Sequence, residues 1–201
     1  MSKRLSLVSV IIFILCFVSM AFFFLGLLPA IIFGIASVGG FVLWMLTTYR
    51  TPIDTEKLIV PYLFTIMLFI CHVYEEYVTH FNMVMTDITG FHMLERDFLT
   101  IAAFIAPVMW VGGAILIIKR TAIGFYFLSF FYVAMMIAEM SHYVFPFLED
   151  GTFHYVSGMY TAFLPLIPAG YGFFLMKKAV AEARLSLRAL PESKKARQMA
   201  R

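Results

Sequence analysis

The chain has 201 residues, of which 62% are apolar and only 13% charged, with a formal net charge of +3. A soluble domain of this size cannot bury so much apolar side chain. The composition therefore excludes a disordered chain, a disulfide-rich scaffold and a sizeable soluble domain, and points to an all-α, polytopic membrane helical bundle.

Six apolar segments are each long enough, at about 20 residues, to cross a hydrocarbon core. They cover 7–27, 30–48, 58–81, 99–118, 122–145 and 156–176. The runs are continuous rather than alternating, which favours helices over a barrel. Lys3 and Arg4 precede the first segment, but no small-residue cleavage site follows, so it reads as a retained signal-anchor helix. Pro29 is expected in a tight hairpin, Pro146 to close the fifth span, and Lys177-Lys178 to stop the sixth.

The basic residues orient these spans. Placing both termini in the cytoplasm puts 14 of the 15 Lys and Arg residues inside and leaves only Arg96 outside. The outer loops hold Asp87, Glu95, Asp97, Glu149 and Asp150. From Lys177 onward, eight basic and two acidic residues give the tail +6, so the rest of the chain sums to −3. Membrane lipids, and anionic headgroups at this basic tail in particular, are the expected partners. No aromatic platform or binding module accompanies the charge, so no nucleic-acid partner is expected. By this reading 1–57 is an N-terminal hairpin and cytoplasmic loop, 58–176 a four-helix membrane domain, and 177–201 a cytoplasmic tail. Cys16 and Cys71 fall within spans and read as small packing residues.

Function is concentrated in a few ionisable residues, because each costs several kcal/mol at membrane depth unless paired, hydrated or metal-bound. The third span contains His72, Glu75 and Glu76, with His72 and Glu76 at i,i+4 on one helix face. The fifth contains Glu139 and His142 at i,i+3, the Glu-x-x-His spacing of di-iron helical bundles. Both pairs fall in the outer halves of their spans. His72, Glu76, Glu139 and His142 are the expected ligands of a divalent metal, zinc or iron. Glu75 is the candidate base, outer-shell group or bridging ligand, and Tyr155 a phenol able to reach His142 or a metal-bound water. His80, His92, Glu95 and Arg96 are possible additions, and the loop carrying His92 a possible lid. Pro165 and Pro168 invite a kink in the sixth span.

His72-Val73-Tyr74-Glu75-Glu76, the later His142, and Tyr155-Val156-Ser157-Gly158 followed by Thr161 resemble the HXXEE-domain family of small integral membrane proteins. That family's pattern is H-x-x-E-E, a further histidine and Y-x-P-G, so Ser157 stands where the family has proline. The likeness spans about residues 60 to 176. It implies which residues act together and does not imply a reaction.

Three functions fit these residues. The first is a metal-dependent membrane enzyme that hydrolyses or oxidises a lipid-like or apolar substrate. The second is a proton or divalent-cation channel or carrier, which the apolar inner halves of the third and fifth spans disfavour. The third is a non-catalytic membrane scaffold.

Overall fold

The computed structural model describes residues 3–51 and 53–189; the expectations for the tail beyond Ala189 lie outside the described residues. Among the described residues every regular element is a helix. α1 (Lys3–Leu25) and α2 (Leu27–Leu46) form a hairpin, followed by α3 (Glu56–Val78) and the short α4 (Phe81–Thr89). α5 (Glu95–Leu99) passes through a π-helical stretch, Thr100–Ile105, into α6 (Ala106–Ile118). α7 (Ala122–Ser141), the short α8 (Phe145–Glu149) and α9 (Phe163–Ala189) complete the chain.

Five of these helical runs are long and apolar enough to cross a membrane: α1, α2, α3, the continuous α5–α6 rod and α7. The protein is an all-α, multi-pass bundle. The sixth expected span, 156–176, is helical only from Phe163. Gly158 at φ 88° is left-handed and breaks the helix before it can start at 156. The helix then continues past Lys177-Lys178 to Ala189, because nothing in that stretch opposes helical backbone. Pro29 lies in the first turn of α2, where its missing N–H costs nothing, and Gly26 at φ 89° makes the break between the hairpin helices. Pro146 opens α8 instead of closing the fifth span, which ends at Ser141.

α7 is the central helix. Tyr126, Leu128, Phe130, Phe131 and Tyr132 are all fully buried, so it is apolar on all sides. α2 lies along it, with α6 and α9 as further neighbours, and α3 packs against α9 and α6. Thr121 Oγ1 caps its start by accepting the Gly124 N–H at 3.0 Å. Gly40 allows α2 to approach α7 closely: a Cβ there would sit 2.9 Å from both Phe130 Cβ and Phe130 N. Gly40→Val is therefore expected to destabilise the bundle by about 2 kcal/mol or more by overpacking. Denaturant unfolding in detergent micelles measures this, and wild-type stability in the variant would contradict the tight α2–α7 contact.

Charge divides between the two ends of the bundle. Tyr49 meets the Lys3 carbonyl, Arg120 pairs with Asp54 and Arg184 bonds the Leu46 carbonyl, which gathers the basic segments at one end. The opposite end carries the C-termini of α3 and α7 and the connections between 79–95 and 142–162.

Candidate metal centre

Four titratable side chains from α3 and the end of α7 meet at that opposite end, all nearly excluded from solvent. His72, Glu76, Glu139 and His142 are exposed by 1%, 6%, 1% and 4%. His72 Nε2 lies 3.2 Å from His142 Nε2 and 3.0 Å from Glu139 Oε2. Glu76 Oε1 lies 3.4 Å from His142 Nε2 and 3.7 Å from His72 Nε2. One ligand atom each from His72, Glu76 and His142 fall within 4.8 Å of one another. Glu139 joins this trio through its approach to His72 Nε2.

The other ring nitrogens determine what these atoms can do. His142 Nδ1 is 3.0 Å from the Ser157 carbonyl, which only accepts, so Nδ1 carries the proton. His72 Nδ1 is 3.0 Å from Thr161 Oγ1. The single Thr161 hydroxyl proton goes to Glu75 Oε2 at 2.5 Å, so Thr161 accepts from His72 Nδ1–H. In the neutral rings both Nε2 atoms therefore present lone pairs. Two imidazole lone pairs and two carboxylate oxygens converge with no donor among them, and Glu139 Oε2 has no hydrogen-bond partner. Such a group requires a cation at its centre, either a proton or a metal ion.

Glu75 faces a different set of partners. Oε1 accepts from the Tyr155 hydroxyl at 2.7 Å and from Tyr160 N–H at 3.2 Å. Oε2 accepts from Thr161 N–H at 2.7 Å as well as from the Thr161 hydroxyl. All its capacity is used in tying the 155–161 turn to α3, and Tyr155 reaches Glu75 rather than His142. Thr79 Oγ1 reinforces the same junction, 2.5 Å from Ser157 Oγ. Thr161 and the Ser157 carbonyl are site members that the sequence reading did not assign to ring orientation. The signal available was Thr161 following closely on Tyr155-Val156-Ser157-Gly158.

Gly158 allows the turn to lie against both rings. A Cβ there would sit 2.5 Å from His142 Cε1 and 3.0 Å from His72 Cε1. Phe81 and Phe145 flank the His142 ring, with centroids 5.1 and 5.4 Å away. The polar group lies at the edge of a cavity of about 120 Å³ with walls from α1, α2, α3, α4, the π-helical stretch, α6 and α7. Those walls are apolar: Phe17, Phe33, Ile101, Trp110, Phe130 and Met135 are among them.

The remaining candidates stand apart from this group. His80 is an exposed αL residue at the start of α4, and His92, Glu95 and Arg96 are exposed. Arg96 Nε donates to Asp97 Oδ1 at 3.1 Å. Asp87-Ile88-Thr89-Gly90 ends α4, with Gly90 as the left-handed C-cap. Met85, Met93 and Phe98 from this region line the cavity, so it covers one side of the chamber.

His154 makes a separate surface cluster, with Nε2 3.0 Å from Glu149 Oε2 and Nδ1 3.4 Å from Asp150 Oδ1. The Glu149 hydrogen bond and the nearby Asp150 charge hold the His154 pKa above the usual imidazole value, against some desolvation. The Thr152 hydroxyl and N–H hold Asp150 below the usual carboxylate value. Order in this turn is thus expected to fail as pH rises through the raised His154 pKa, and again as pH falls through the lowered Asp150 pKa. Amide exchange at 150–154 across pH checks this; flat exchange after correction for intrinsic rates would contradict it.

No family model, no curated protein and no solved structure matches this chain. The fold and site alone define the class: a multi-pass, all-helical membrane protein with a buried His/Glu/His group that could hold a metal ion.

Proposed function

We propose that His72, Glu76 and His142, with Glu139 beside them, hold one divalent metal ion, and that the protein is a metal-dependent membrane enzyme acting on a lipid-like or apolar substrate. The observation that carries this reading is the convergence of two buried imidazole Nε2 atoms and two buried carboxylate oxygens on one point. Two imidazoles and a carboxylate are a donor set used by catalytic zinc and by non-haem iron. When bound, such a metal supplies Lewis-acid activation of water for hydrolysis, or redox chemistry if it is iron. The chain's own residues have clear tasks. Thr161 and the Ser157 carbonyl orient the two rings, Glu75 anchors Thr161, and the apolar walls exclude water and admit hydrocarbon.

The aromatic walls favour a site over a transport path, because Phe17, Phe33, Trp110 and Phe130 offer an ion no polar step away from the cluster. The resemblance to the HXXEE-domain family likewise sets His72, Glu76 and His142 together, and adds Glu75, which here anchors the turn that orients the rings. The basic residues support placing this end of the bundle on the extracytoplasmic side of a cell membrane.

Elemental analysis of the detergent-purified protein tests the reading. About one equivalent of zinc or iron per chain is expected. Metal-free protein from metal-replete medium, unable to take up either ion on titration, would refute it and leave a structural polar network in its place.

A further inference from the structure

The basic end of the bundle holds a second built feature. Lys3 at the start of α1, Arg50 after α2, and Arg184 and Arg188 near the end of α9 border one cleft of about 540 Å³. Tyr49, Thr51 and Leu187 complete its lining, and among the described residues no carboxylate contributes. The cleft joins three separate stretches of chain. The Tyr49 hydroxyl bonds the Lys3 carbonyl at 3.5 Å, its ring packs edge-on against buried Trp44 at 4.8 Å, and the Arg184 guanidinium bonds the Leu46 carbonyl.

Arg50, Arg184 and Arg188 around one concavity repel one another unless an anion joins them. The acid nearest in sequence to Arg50, Asp54, is already engaged by Arg120 at 2.5 Å. We propose that this cleft binds a phosphate-bearing anion, the headgroup of an anionic phospholipid in the leaflet that meets this end of the bundle. Arginine and lysine suit phosphate oxygens, and the Thr51 hydroxyl adds a neutral donor. Two observations favour a lipid over a soluble phosphate. The cleft lies at the ends of apolar helices, where headgroups meet hydrocarbon. Large apolar side chains on the same three stretches, Leu5, Leu46 and Leu185, are exposed by 54%, 61% and 64%, as acyl-chain contact requires. The site is independent of the metal centre at the other end.

Thermal unfolding of the full chain in neutral detergent tests the proposal with three probes: dioctanoyl phosphatidylglycerol, dioctanoyl phosphatidylcholine and inorganic phosphate. Phosphatidylglycerol is expected to raise the wild-type Tm saturably, by about 4 °C or more, and phosphatidylcholine is not. Arg50→Gln/Arg188→Gln is expected to weaken the apparent affinity about tenfold or more, whereas Arg120→Gln, at the same end but outside the cleft, keeps it. If the double variant does not fold, each single change is expected to weaken binding about threefold. Equal shifts with both lipids, or unchanged affinity in the Arg50 and Arg188 variants, would overturn the proposal. A full shift with inorganic phosphate at the same concentration would overturn the lipid assignment and make the ligand a soluble phosphate.

Discussion

His142→Ala is expected to abolish stoichiometric metal and, with it, the protein's sensitivity to chelators. The substitution removes one of the two imidazole lone pairs and leaves His72 with two carboxylates. The wild-type protein gains stability from bound metal by mass action, about 4 kcal/mol at a free metal concentration 1,000 times Kd. For a chain of this length that corresponds to about 8–16 °C in Tm. Adding a strong chelator should therefore lower the wild-type Tm by a margin of that order and leave His142→Ala unmoved. The variant should also be less stable than the wild type without metal, because Glu76 loses its 3.4 Å neighbour and stays buried. His72→Ala should behave alike. A purely structural network predicts something different: chelator would leave the wild-type Tm unchanged, and both variants would lose stability whether or not metal is present.

The second large effect is expected from the smallest substitution. Gly158→Ala adds one methyl group, at a position whose φ of 88° already disfavours any L side chain. That methyl would overlap His142 Cε1 at 2.5 Å and Nδ1 at 2.6 Å. Neither side can yield cheaply. The ring is held by the Ser157 carbonyl and walled by Phe81 and Phe145, while the turn is held by four hydrogen bonds to Glu75. Backbone strain of about 1–3 kcal/mol adds to the overpacking cost. The variant should unfold at lower denaturant and bind metal at least tenfold more weakly. Thr161→Val separates the two effects. It leaves three of the turn's four bonds to Glu75 and removes the acceptor for His72 Nδ1–H, so metal affinity should fall about 10–100-fold with a smaller loss of stability. Wild-type affinity in both variants would show that the turn does not orient the rings.

The spacing of charges along the sequence exposed the main elements of the site. His72 with Glu76, and Glu139 with His142, sit at helical intervals, and periodicity alone places each pair on one face. Meeting in space requires α3 and α7 to present those faces to one another, which periodicity does not encode. The turn was less legible for a chemical reason. Beside the Tyr155 and Thr161 hydroxyls, its contributions to the site are the Ser157 carbonyl and the Tyr160 and Thr161 N–H groups, which residue identity does not specify. Two of these bonds, with left-handed Gly158, explain why 156–162 looks like the start of a span yet is not helical, since the Tyr160 and Thr161 N–H groups serve Glu75. Hydropathy located the fourth span, but its π-helical stretch leaves no signature in composition. The exposed His80 and His92 show the converse: a histidine near the site in sequence need not face it.

Both rings are hitched through their Nδ1 atoms to the 157–161 turn, which lies outside the two helices that carry them. Mechanically the turn is a splint across the open jaws of a caliper. Helices in a bilayer adjust their tilt as its thickness changes, and such motion would ordinarily spread or close a pair of side chains mounted on different rods. Here each ring is pinned at its far side to the same short turn, His142 through the Ser157 carbonyl and His72 through the Thr161 hydroxyl, so the gap between the Nε2 atoms is set by that turn and not by the angle between α3 and α7. The bite of the donor pair is thereby insulated from the elasticity of the surrounding lipid.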